Sequence, residues 1–125
     1  MFRADLSRPL VSVRLAMLLS TDLWVGALIR RAELGGAFAM VVRKGDARAG
    51  AVLVKVVDRR AGTVRLYSEA TRGDGERVWM QPTKSDFEPD LDAYAERAAR
   101  IDPDVWVVEI EDREGRHFLT EPVEA

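Results

Sequence analysis

Between residues 20 and 35 apolar side chains occupy nearly the whole circumference of a helical period. Asp22, Gly26, Arg30 and Glu33 form a narrow polar stripe at steps of four, four and three. Leu23, Trp24, Val25, Ala27, Leu28, Ile29 and Leu34 fill the rest. A stripe that narrow predicts a helix buried on most sides. Ser20, Thr21 and Asp22 offer N-cap oxygens and Gly35-Gly36 a left-handed stop, so the helix is expected over residues 21–34. The period then changes to two. Residues 37–42 are apolar on both faces and predict an interior strand. Further strands are expected at residues 50–58, 63–69 and 76–81, the last pair joined by the Gly73-Asp74-Gly75 turn and ended by Pro82. These connections are too short for parallel crossovers, which favours an antiparallel sheet.

A second helix is expected over residues 89–101. Pro89 suits its first turn, and Asp90 and Asp92 favour its positive end. Leu91, Tyr94, Ala98 and Ile101 make one apolar face, opposite Asp92, Glu96, Arg97 and Arg100, so this helix should lie on a sheet. Strands at residues 105–110 and 116–120, joined by a turn at residues 112–115, complete the pattern. The order α-β-β-β-β-α-β-β reads as an α+β fold, with about six antiparallel strands and two helices. Residues 20–125 form one domain. Residues 1–19 are expected to be an extension, a short edge strand around residues 10–14 or a tail, and translation from Met17 instead of Met1 would remove most of it.

Several segments resemble one family: residues 23–31 (LWVGALIRR), 35–38 (GGAF) with 45–50 (GDARAG), and 102–110 (DPDVWVVEI), together with residues 64–67 and the Trp79 strand. The family is the domain of unknown function family 1491, small and mostly alphaproteobacterial proteins. The resemblance covers residues 20–120. It implies one compact cytoplasmic domain and brings no assigned activity, substrate or catalytic residues.

Composition narrows the chemistry. The chain has no cysteine and one histidine, which excludes disulfides, thiolate metal sites, cysteine nucleophiles and paired-histidine zinc sites. No uncharged run approaches the ~20 residues a membrane span needs, so a cytoplasmic location and no membrane partner are expected. The net charge of −2 hides an asymmetry: +6 over residues 1–60 and −8 over residues 61–125. Interleaving of the two halves in one small domain would neutralise it. A basic face for phosphate or nucleic acid would instead draw on Arg30, Arg43, Lys44, Arg48, Arg59 and Arg60.

A few residues break the pattern. Arg31 lies seven positions after Trp24 and points inward with it, as an anion-binding group or as a structural guanidinium that needs a carboxylate or carbonyl partner. Arg30 lies on the polar stripe. Lys55 sits mid-strand among Val and Leu, either a desolvated base or nucleophile, or part of a solvated outer patch. Glu109 and Glu111 share one strand face. Glu109 is a candidate partner for Arg31 or Lys55, and with Glu111 and Asp112 it offers hard oxygens for a divalent cation. His117 has no partner in sequence and no nucleophile motif accompanies it. The tryptophans Trp24, Trp79 and Trp106 are expected in the core or an interface. No cofactor, resident metal or small-molecule ligand is implied. The leading expectation is a non-catalytic interaction module that self-associates, because the strands carry more apolar faces than two helices can cover. The alternatives are backbone phosphate binding through the six basic residues above, and a carboxylate-metal-dependent hydrolase built on Glu109, Glu111 and Lys55.

Overall fold

The computed structural model describes residues 19–124. The expectations placed on residues 10–14 and on Met17 fall outside the described residues. Eight elements follow one another: α1 (Thr21–Leu34), β1 (Phe38–Arg43), β2 (Val52–Asp58), β3 (Thr63–Thr71), β4 (Arg77–Met80), α2 (Glu88–Ile101), β5 (Trp106–Glu111) and β6 (Val123–Glu124). This is the expected α+β order. The last strand differs: residues 116–120 are irregular, and β6 is a two-residue strand beyond them.

All six strands form one sheet in the order β1-β5-β2-β3-β4-β6. It is mixed, not antiparallel throughout. β5 enters between β1 and β2, antiparallel to the former and parallel to the latter, and β6 runs parallel to β4. Consecutive strands β1 and β2 are therefore not neighbours, and the loop joining them must cross the end of β5. That crossing explains two glycines. A Cβ on Gly45 or Gly50 would lie 2.1 or 2.2 Å from the Asp104 carbonyl oxygen. The loop is fastened there by the Asp46 amide donating to the Asp104 carbonyl (2.9 Å) and by Trp106 Nε1 donating to the Asp46 carbonyl (2.7 Å). The Asp46 carboxylate accepts from the Arg48 and Ala49 amides. The segments GDARAG and DPDVW are thus two halves of one joint.

One helix covers each face. α1 packs Trp24, Val25, Leu28 and Ala32 against Val52, Val54, Val56, Val108 and Ile110. Fully burying side chains such as Leu28 stabilises by about 1.5–3 kcal/mol each. α1 is less enclosed than its pattern predicts: Leu23 is 62% and Leu34 75% exposed, because only the sheet side offers a partner surface among the described residues. Its first amides are satisfied by the crossing loop, Thr21 donating to the Arg48 carbonyl and Asp22 to that of Ala47. Gly36, at φ 92°, supplies the left-handed stop. Trp24 stacks on Trp79 at 5.4 Å, and both indoles donate to the Glu121 carboxylate. On the opposite face Leu91 of α2 is fully buried among Leu53, Val57, Val64, Leu66, Val105 and Val107. β2 is buried along its whole length, as a central strand with a helix on each side should be.

β1 corrects another expectation. Its residues are apolar on both faces, yet it is an edge strand. Its neighbour β5 comes from the far end of the chain, so local spacing carried no signal of it. Ala39 faces α1, while Phe38, Met40, Val41 and Val42 are 63, 44, 38 and 55% exposed.

Candidate functional site

Lys55 sits at the centre of β2, level with Leu66 of β3 and Glu109 of β5. Strand alternation points it to the α2 face, along with Leu53 and Val57. Its side chain is only 9% exposed, so it is buried and not part of a solvated patch. Lys55 Nζ lies 2.6 Å from Glu88 Oε2, 2.7 Å from Asp92 Oδ1 and 3.4 Å from Glu109 Oε1. Glu88 and Asp92 are one helical turn apart in α2, which brings both carboxylates over the same point of the sheet. Arg59, just beyond β2, extends the cluster to Glu111 (2.9 Å) and Glu88 (3.8 Å). Two cations therefore meet four carboxylates.

Burial disfavours the Lys55 ammonium, but its hydrogen bonds to Asp92 and Glu88 and the charge of Glu109 outweigh that, and its pKa is raised. Glu88 moves the other way. The hydrogen bond from Lys55 holds its carboxyl below the usual range. Lys55 is thus held as an ammonium, a form that neither accepts a proton nor attacks a carbon. Its Nζ occupies the point where three carboxylates converge. Among the described residues no group of three or more His, Cys, Asp or Glu side chains is placed to hold a metal ion. A cavity of about 410 Å³ opens beside the cluster, between α2 and β1, where Val42, Arg43, Val107, Ala95 and Ala99 join Lys55, Asp92 and Glu109 in its lining.

The other sequence candidates lie elsewhere. Arg31 does not meet Glu109: its Nε donates to the Phe118 carbonyl (3.2 Å), near the end of α1, and its Nη2 is buried without a partner. Arg30 is exposed. Glu111 belongs to Arg59. Asp112 faces away from the cation cluster into its own turn. It accepts from the Glu114 and Arg116 amides and binds the Arg116 guanidinium through both oxygens, which lowers its pKa to about 2. Its neighbour Arg116 continues to the Gly35 carbonyl, tying this turn to the end of α1. His117 packs edge-on to Tyr67 and accepts the Leu119 amide. The basic residues are dispersed: Arg43, Lys44 and Arg48 lie before β2, Arg59 and Arg60 after it, at opposite ends of a seven-residue strand. Glu88 and Asp92, the principal partners of Lys55, were not singled out from sequence. Their four-residue spacing on one helix face was the available signal.

The second feature is the outer edge of β1. Five successive apolar residues, Phe38, Ala39, Met40, Val41 and Val42, run along it. Phe38 and Met40 stand level with Glu111 and Glu109 on the α2 face, where α2 does not reach. A bulge between Val41 and Arg43 ends the regular ladder.

Comparison with known proteins is consistent across sequence and structure. The family model described as Protein of unknown function (DUF1491) matches residues 19–120. A crystal structure of a DUF1491 family protein from Caulobacter crescentus CB15 at 1.87 Å resolution is 87% identical. It covers 86% of this chain and 100% of its own, with a TM-score of 0.84. An NMR structure of a DUF1491 family protein from the same organism is 86% identical, covers 86% of this chain and 98% of its own, and has a TM-score of 0.82. A solution structure of an A. tumefaciens protein is 34% identical over 86% of this chain and 98% of its own, with a TM-score of 0.73. No curated protein matches the chain.

Proposed function

The chain belongs to the DUF1491 family, and we propose that it is a non-catalytic module that self-associates through the outer edge of β1. One observation carries this reading: an edge strand with five consecutive apolar residues, four of them exposed. Edge strands are normally blunted by lysine, proline or inward charge, because unpaired N–H and C=O groups recruit another strand. Residues 38–41 carry no charge and no proline, and the one protective device of this strand, the bulge between Val41 and Arg43, lies beyond them.

The occupant is a second copy of this chain. An antiparallel pair about a two-fold axis at Ala39 uses only the regular part of the strand, ahead of the bulge, and sets Phe38 opposite the partner's Met40. Residues directly opposite in an antiparallel pair share a face, so two Phe–Met contacts form on the α2 side. No charge lies between residues 37 and 42, so no like charges oppose one another. At 63% exposure, Phe38 offers roughly 100–150 Å². The four exposed side chains together offer on the order of 300 Å². A stable complex buries about 800 Å² per partner, so the association is weak and concentration-dependent.

Sedimentation equilibrium tests this reading. The wild type should rise from 14.0 kDa towards twice that mass with concentration. Met40→Lys, whose ammonium is accommodated beside Glu109, should stay monomeric with an unchanged circular dichroism spectrum. A wild type that remains monomeric at millimolar concentration overturns it.

A further inference from the structure

We infer that α2 is a releasable cover, pinned over an apolar face of the sheet by the Lys55 ion cluster and freed when that cluster is discharged in acid. The argument starts from how little else holds the helix. Only Leu91 is fully buried in α2; the rest of its inner face is Tyr94 and small alanines, Ala95, Ala98 and Ala99. Open spaces adjoin it on three sides. The 410 Å³ cavity lies towards β1, one of about 440 Å³ lies at its N-terminal end by Gly62, Thr63 and Pro89, and one of about 300 Å³ lies under Tyr94, Ala98 and Ile101. Its last residue, Ile101, is 85% exposed. A helix with so few large contacts belongs at the low-stability end of its domain. α1, by contrast, inserts Trp24, Val25 and Leu28 into the other core.

The pin is electrostatic and spans two layers. Lys55 comes from the sheet, while Glu88 and Asp92 come from α2. The other charged groups around it are Glu109 on β5, Arg59 at the end of β2, Glu111 held by Arg59, and Arg43 and Glu96 on the rim of the cavity. Protonating Glu88 and Asp92 removes the attraction between helix and sheet. It leaves Lys55 charged beneath an apolar interface, which favours opening. The face uncovered by release consists of Leu53, Val57, Val64, Leu66, Val105 and Val107.

Hydrogen exchange followed residue by residue across pH tests the inference. Protection factors of α2 amides should fall in acid ahead of those in β2 and β3, by about tenfold for each pKa unit by which Lys55 holds Glu88 below its ordinary value. A dye that fluoresces on apolar surfaces (anilinonaphthalene sulfonate) should bind over the same range while the sheet stays protected. In Lys55→Met the response should invert: three carboxylates repel at neutral pH and relax as they are protonated. Asp92→Asn, at a half-exposed position that tolerates the change, should lower α2 protection at neutral pH and shrink the acid response. Loss of α2 and β2 protection together at every pH overturns the inference, and so does an acid response that Asp92→Asn leaves unaltered.

Discussion

Replacing Lys55 by methionine isolates the cluster that joins the two layers, since Met retains most of the stem and removes the charge. Glu88, Asp92 and Glu109 then converge with no ammonium among them. Breaking a fully buried pair by deleting one partner costs about 3–5 kcal/mol. Here the three carboxylate side chains are 33, 52 and 19% exposed, so water recovers part of that loss. The expected destabilisation at pH 7 is therefore about 2–3 kcal/mol, below the fully buried range. For a domain of this size that lowers Tm by about 8–12 °C. Urea denaturation and thermal melting at fixed salt measure both. Adding Glu88→Gln, Asp92→Asn and Glu109→Gln to Lys55→Met should restore most of the loss, because neutral amides no longer repel. A single variant within about 0.5 kcal/mol of wild type, the scatter of ordinary surface changes, would refute the pinning role. The pH dependence has a definite sign. Glu88 titrates below its ordinary value of 4.5 in the folded protein, so its contribution is complete above that value. It is lost as the pH falls through the folded value.

Gly50→Ala should be severely destabilising or prevent folding, because its Cβ would sit 2.2 Å from the Asp104 carbonyl oxygen, whereas Gly73→Ala, with nothing within 4 Å, should change stability by less than about 0.5 kcal/mol in the same melts. Asp112→Ala removes the acceptor of the Glu114 and Arg116 amides, while the Arg116 guanidinium keeps Glu114 and the Gly35 carbonyl, so it should cost about 1–3 kcal/mol by urea denaturation at pH 7. Its carboxyl titrates at about 2 against an ordinary 3.8, so the difference between wild type and variant should be full above pH 4 and shrink as the pH falls through 2. Trp79→Ala should cost about 3–5 kcal/mol by cavity formation and loss of the Trp24 stack, read by denaturant melts.

The elements with strong periodicity were legible in the sequence. α1 matched its predicted bounds, since both its polar stripe and its glycine stop are local signals, and α2 began one residue early. Strand existence followed from the runs of valine, and the Asp-Gly turn placed β3 against β4. Partner choice was not legible. Nothing local reveals that β5 slips between β1 and β2, so the sheet's parallel pairings and the edge position of β1 were both missed. Residues 116–120 alternate like a strand, but Arg116 is committed to the Asp112 turn and Phe118 has φ 59°, which breaks any ladder. Lys55 and Glu109 were visible as pattern-breakers, and their pairing was one of the readings the sequence left open. Arg31 was read as inward-pointing, and its partner is a loop carbonyl that no spacing rule could indicate. Nothing local links Glu88 and Asp92 to Lys55: Asp92 falls on the helix face expected to point away from the sheet, Glu88 just before the expected helix, and Lys55 is 33 or more positions away.

The proposed function stands or falls with association through the β1 edge. The most direct measurement is sedimentation equilibrium of the wild type and Met40→Lys from micromolar to millimolar concentration, with NMR shift mapping on the wild type over the same range. A rising average mass is expected in the wild type alone, with shifts confined to Phe38, Ala39, Met40 and Val41 and their β5 neighbours. Shifts centred on any other surface, or equal masses for both proteins at every concentration, would contradict it.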